Sequence, residues 1–221
     1  MENLQDSIKI SFNYLNNQFE IDYKYRVLET FELERIQRDF NQDHLKMIYK
    51  WKVNGRFVKD IFLPKYILDE LNSLKRFTAK DRGSKELKES LKRLFDLIKN
   101  DPNIKGIKLP MLSTILRFRN PEVFQIIDIR ALRAAFYYNP ESFLKGNRNW
   151  FPRLQALDYD IYEMYLDQLY KIDNEGYFGI KLNKFSDWDR FLYILDKKYY
   201  KLNEKPNGVN LVNDYLKKLE Y

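Results

Sequence analysis

The chain has no cysteine, a single histidine, and only seven glycines and seven prolines in 221 residues. Without cysteine there is no disulfide, no zinc–thiolate site and no cysteine-ligated iron–sulfur cluster, so neither a metal nor a cofactor is expected. A Ser-His-Asp triad is excluded unless His44 itself serves, and in "DHLKMIYKW" that residue reads as part of a helix surface. With so little glycine and proline there is no flexible linker, low-complexity tract or repeat, and the breakers that exist sit where turns are expected. No apolar run is long enough to cross a bilayer, and "MENLQDSIKI" lacks the basic-then-apolar pattern of a secretory signal. The expectation is therefore a cytoplasmic protein with no membrane partner.

What the chain does have is basic charge, and that charge is concentrated. The formal net charge is +7; residues 1–50 contribute −2, residues 51–157 contribute +11 and residues 158–221 contribute −2. An excess confined to the middle of the chain suits a face that binds a polyanion, because each lysine or arginine near a phosphate releases condensed counterions. A solvated basic surface is the plainer alternative.

Apolar residues recur mostly with helical period. In "SKELKESLKRLFDLIKN", Leu87, Leu91, Leu94, Phe95 and Ile98 fall at steps of three and four, with Ser84 as N-cap and Asn100-Asp101-Pro102 as the stop. The stretches "MLSTILRF", "IRALRAAFYY", "DIYEMYLDQLYKI", "FSDWDRFLYILDKKYY" and "NLVNDYLKKLEY" read the same way, as does "FELERIQRDFNQDHLKMIYKWK". The N-terminal "IKISFNYLNNQFEIDYKY" partly alternates, which suits one or two short strands. The turns at Asn207-Gly208 and from Gly176 to Gly179 separate C-terminal helices. A mainly α fold follows. Two helical lobes are expected within one domain: a central basic lobe of about residues 51–157, carrying a hairpin at 105–110, and a second lobe from the two ends of the chain.

"NIKGIKLP" joins two helices rich in leucine and isoleucine, and Gly106 supplies the backbone freedom for a turn this tight. Unpaired N–H groups of the loop and of the following helix start suit a phosphate, with Lys105 and Lys108 adding charge.

"GIKLPMLSTIL" followed by "FQIIDIRAL" resembles the helix-hairpin-helix DNA glycosylase superfamily. In that superfamily a Gly-hydrophobic-Gly-x-Lys hairpin precedes, by some twenty residues, a hydrophobic pair and an aspartate. Gly106 matches the first glycine and Asp128 the aspartate. More narrowly, "LPMLSTILRFRNPEVFQIIDIRA", with its Asn120-Pro121 turn, is similar to a divergent bacterial branch with the 8-oxoguanine DNA glycosylase fold. The segments "IYKWKVNGR" and "DWDRFLY" also resemble that branch, although only Gly106 to Arg130 is specific. The resemblance implies a DNA glycosylase of base excision and DNA repair, which flips a base out of double-stranded DNA and acts as a hydrolase on its N-glycosidic bond. Two positions depart from the pattern. Lys108 stands at the second hairpin glycine, and Pro110 stands where bifunctional members carry a Schiff-base lysine, so lyase chemistry through that position is excluded.

Asp128 is the candidate catalytic residue. Cleaving an N-glycosidic bond builds positive charge on the sugar, which a carboxylate can offset while it activates water. The same aspartate, set between "QII" and "IRALRAAF", also reads as a helix N-cap, and the two roles are compatible. Lys105, Gly106, Lys108, Arg130 and Lys52 are the candidate DNA contacts. For Arg130 and Arg133, pairing with carboxylates fits equally well. Lys52, in "KWK", is the best remaining lysine for chemistry near the site, although a Trp51 buried at a helix end beside a solvated lysine is the plainer reading. Arg117 and Arg119 read as cations that complement a helix C-terminus. For the base pocket, Trp188 and Phe191 are chosen from a large aromatic supply that includes Tyr137, Tyr138, Trp150 and Phe151. Two further readings stand beside the enzyme: a catalytically inactive DNA-binding module of the same fold, and a helical protein whose basic face meets an acidic partner. The base recognised, repair as against defence against modified phage DNA, and the oligomeric state are left open by the sequence.

Overall fold

The computed structural model describes residues 39–52, 62–137, 150–177 and 179–201. Among them are eight α-helices: α1 (Gln42–Lys52), α2 (Lys65–Ser73), α3 (Lys85–Asn100), α4 (Leu109–Arg119), α5 (Ile129–Tyr137), α6 (Trp150–Gln155), α7 (Tyr159–Glu175) and α8 (Trp188–Lys201). The fold is mainly α, as expected. No described helix is long and apolar enough to cross a membrane. The expected N-terminal strands, the helix at 210–221, the Asn207-Gly208 turn and the side chains of Trp51, Tyr137, Tyr138, Trp150 and Phe151 lie outside the described residues.

The helix expected over residues 31–52 begins, within the described part, only at Gln42. The backbone N–H of His44 donates to Asn41 Oδ1 (3.1 Å), and the backbone N–H of Asn41 donates to His44 Nδ1 (3.2 Å). This reciprocal cap gives the only histidine of the chain a structural task at the helix start. Helix α3 matches its sequence pattern closely: Ser84 Oγ accepts from the N–H of Leu87 (3.2 Å), and Leu87, Leu91, Leu94, Phe95 and Ile98 are buried.

Helix α4 runs through the middle of the molecule and is buried from Met111 to Arg119. Burial on all sides explains why its apolar residues do not form a single stripe. Arg117 and Arg119 stand in the last turn of this helix, as expected, and its burial makes them interior cations. Arg119 donates to the carbonyl of Asn72 (3.0 Å) and to Asp39 (3.4 Å), with its guanidinium over the ring of Phe40. Arg117 donates to the carbonyl of Ser186 (3.3 Å). A helix in the centre of the fold leaves its last-turn arginines no solvent to reach, so they bind the carbonyl groups of neighbouring elements. Beyond α4, Asn120 anchors the Asn120-Pro121 turn through its buried amide, which donates to the carbonyls of Leu74 (3.1 Å) and Phe77 (2.8 Å).

Helix α5 packs against α7 and α8. Arg133 of α5 makes a two-pronged ion pair with the buried Asp196 of α8 (3.0 and 2.5 Å). Three residues earlier on both helices, the guanidinium of Arg130 lies over the ring of Tyr193, 5.3 Å from its centre. Both pairs have the same sequence offset, so α5 and α8 run parallel and their N-terminal ends lie together.

Candidate active site at the paired helix starts

The route from α4 to α5 is fixed by hydroxyl groups. Tyr170, Tyr162 and Tyr165 of α7 donate to the carbonyls of Val123 (2.8 Å), Gln125 (2.8 Å) and Ile126 (3.0 Å), and the N–H of Ile127 donates to Ser113 Oγ (3.1 Å). An irregular segment in a protein interior must find partners for its polar backbone, and these tyrosines supply them. Burial pushes the phenols of Tyr162 and Tyr165 well above the ordinary tyrosine range, so both remain donors. Asp128 follows directly. Its Oδ1 accepts from the N–H groups of Arg130 and Ala131 (2.8 Å each), the geometry of an N-cap, and the residue is half-buried.

Two side chains from distant parts of the sequence reach the same place. Lys52, the last residue of α1, is half-buried, and burial pushes its ammonium below the ordinary lysine value while the charges of Asp128 and Asp189 oppose that shift. Asp189, in the first turn of α8, is held above the ordinary carboxylate value by burial. Arg117, Arg190 and the N–H of Arg190 oppose that shift, and Asp128 adds to it. Two carboxylates therefore face one place where two parallel helices present their positive ends, with Lys52 and Arg117 beside them.

Among the described residues no hydrogen bond joins Lys52, Asp128 and Asp189 to one another. They act on each other through charge alone.

The hairpin lies nearby. Ser113, which holds Ile127, is five residues beyond Lys108, a rise of about 7 Å along α4. In the hairpin, Ile104 and Ile107 pack inward while Lys105, Gly106 and Lys108 are exposed. Gly106 has φ +81°, a region costly for other residues, although a Cβ there would meet nothing within 4 Å. The demand is conformational. Lys108 Nζ donates to Gln155 Oε1 (2.8 Å).

The start of α4 corrects one expectation. The N–H of Leu109 donates to the carbonyl of Ala156, Pro110 has no N–H, and those of Met111 and Leu112 donate to the carbonyl of Lys108. No donor remains at the helix end itself. Those that remain belong to the loop, from Lys105 to Lys108, which have no hydrogen-bond acceptor among the described residues.

Of the residues singled out in the sequence, Lys52, Asp128 and Arg130 come together, and Lys105, Gly106 and Lys108 share the hairpin. Trp188 and Phe191 do not line an opening. Both are fully buried, edge-to-face with each other and with Tyr177, and Trp188 Nε1 donates to Asp173 (2.6 Å). Their rings are consumed by the core, which corrects the choice of base-pocket residues. Sequence reasoning missed Asp189 and the α7 tyrosines. An aspartate at a helix start reads as a complement to the dipole, and tyrosines at helical spacing read as core.

Comparison of the chain with protein-family models, with curated proteins and with solved structures finds no match.

Proposed function

We propose that the chain is a DNA N-glycosylase that binds duplex DNA through the 105–108 loop and hydrolyses the N-glycosidic bond of a flipped base at Asp128. The observation that carries this reading is the seating of Asp128. One oxygen is fixed by two helix N–H groups, while Oδ2 has no hydrogen bond among the described residues, beside Lys52 and Asp189. A carboxylate held this firmly needs no rearrangement to offset the positive charge that grows on the deoxyribose. The second oxygen can take a proton from the attacking water. The loop N–H groups, with Lys105 and Lys108 on either side, supply donors and charge for a phosphate. Nothing in this chemistry calls for a cofactor. Pro110 makes the enzyme monofunctional at the family position, so borohydride should trap no adduct there; an adduct lost in Lys52→Ala would reassign the chemistry to Lys52.

One observation favours a second reading, a DNA-binding module without catalysis. Lys108 occupies a glycine position of the hairpin pattern, and the first turn of α4 keeps no free donor. Duplexes carrying single modified bases, incubated with the protein and then treated with alkali, separate the two. The enzyme reading expects strand breaks at the modified position that appear only after alkali. Salt-dependent binding with no breaks would leave the binding module, and no salt-dependent binding at all would overturn both.

A further inference from the structure

The parallel packing of α5 and α8 gives Asp189 a place that its sequence context does not suggest. Tyr193 and Asp196, which meet Arg130 and Arg133, share one face of α8 with Asp189, and Asp189 lies one turn before Tyr193, which sets it just beyond the start of α5, where Asp128 is the cap. Trp188 and Phe191 anchor the first turn of α8 in the core, and the Arg133–Asp196 pair locks the next turns. The first turn of α8, which carries Asp189, is thus fixed at the end of α5 that Asp128 caps. Lys52, with no hydrogen bond to either carboxylate among the described residues, faces both from α1.

We infer that Asp189 is the general acid of this site, giving its proton to the departing base while Asp128 serves as the carboxylate for water. The inference rests on the glycosylase reading above. In the step, the C1′–N bond breaks and its electron pair goes to the base. The base takes the proton of the Asp189 carboxyl, either on that nitrogen or elsewhere on its ring. Water adds to C1′ and loses a proton to Asp128, and that proton returns through solvent to Asp189. The balance is glycoside plus water giving a sugar hydroxyl and a free base.

Two carboxyl groups in one site divide the acid and base roles when their surroundings separate them. Asp128 is fixed by two backbone N–H groups. Asp189 is held above the ordinary carboxylate value, chiefly by burial and further by Asp128. The groups facing it are Lys52 from α1, Arg117 from α4, Asp128 from α5, Tyr162 and Tyr165 from α7, and Arg190 on its own helix. The two arginines, the Arg190 N–H and the Lys52 ammonium pull it down, and burial outweighs them.

The test has two parts. Carbon-13 titration of the side-chain carboxyls reads the proton directly in the free protein. The Asp189 midpoint should lie above 3.8 and fall in Asp128→Asn, where the like charge is gone. A midpoint at or below 3.8 overturns the general-acid role whatever the protein cleaves. Single-turnover excision is then measured on duplexes carrying hypoxanthine, a neutral purine whose departure is helped by a proton, and on 7-methylguanine, which is already cationic in the duplex and leaves neutral. Asp189→Asn should slow release of a neutral base by about 100-fold. The loss on the cationic base should be at least about tenfold smaller, and the high-pH decline of the native rate should vanish in the variant. Equal losses on both kinds of base, with the pH limb retained, would make Asp189 structural. A raised midpoint in a native protein that releases neither of these bases would instead overturn the glycosylase reading, and the acid role with it.

Discussion

The hairpin and the paired helix starts lie within about two turns of α4 from each other, yet they are built in opposite ways. In the hairpin, two isoleucines anchor the loop and everything charged is exposed. At the helix starts, charged groups are drawn into the interior and held by buried tyrosines, a buried ion pair and backbone N–H groups. The difference teaches how binding and chemistry can be separated. Contacts to a polyanion work through screened, replaceable charge, whereas a catalytic carboxylate needs a position that does not relax. Changes in the two regions should therefore have different signatures: stability and rate in one, salt dependence in the other.

The largest effect is expected where the helix starts are locked. Arg133→Ala leaves Asp196, fully buried, without its two-pronged partner, which should cost about 3 to 5 kcal/mol in urea unfolding. A loss below about 1 kcal/mol would mean that α5 and α8 are not held by this pair. Next comes Tyr165→Phe, which removes the donor to the Ile126 carbonyl two residues before Asp128. The orphaned carbonyl should cost about 1 to 3 kcal/mol, and excision should slow without a change in salt dependence. A variant as stable and as active as the native protein would show that the tyrosines do not position Asp128.

In the hairpin the same measurements should barely move. Lys105→Ala with Lys108→Ala removes exposed side chains and one bond to Gln155, so unfolding should shift by under about 1 kcal/mol. The slope of log K against log salt for duplex DNA should instead flatten by up to about 0.9 for each lost phosphate contact. Unchanged affinity and slope would remove the hairpin from the DNA contact.

The sequence carried the parts of this contrast that are local. The N-cap of α3, the stop at Asp101-Pro102, the positive φ of Gly106 and the capping position of Asp128 each depend on a few neighbouring residues, and each is readable from them. The break before α1 escaped because the apolar spacing continues across Asn41, and only the reciprocal bonds with His44 mark the start. What brings Lys52, Asp128 and Asp189 together is the packing of three helices far apart in the chain, which no local pattern encodes. For the same reason the sequence showed Arg117 and Arg119 at a helix C-terminus but not their burial, and Trp188 and Phe191 read as pocket walls, when the centre of the fold takes all four.

The most direct test of the central claim is the count of abasic sites made by Asp128→Asn on whatever modified duplex the native protein cleaves. Asparagine keeps the shape and the capping acceptor, so the variant should unfold within about 1 kcal/mol of the native protein and bind DNA with the same salt slope. Its neutral amide can neither offset an oxocarbenium-like charge nor take a proton from water, so it should make no abasic sites. A folded, DNA-binding variant that excises at the native rate would contradict the account and leave Asp128 as a helix cap alone.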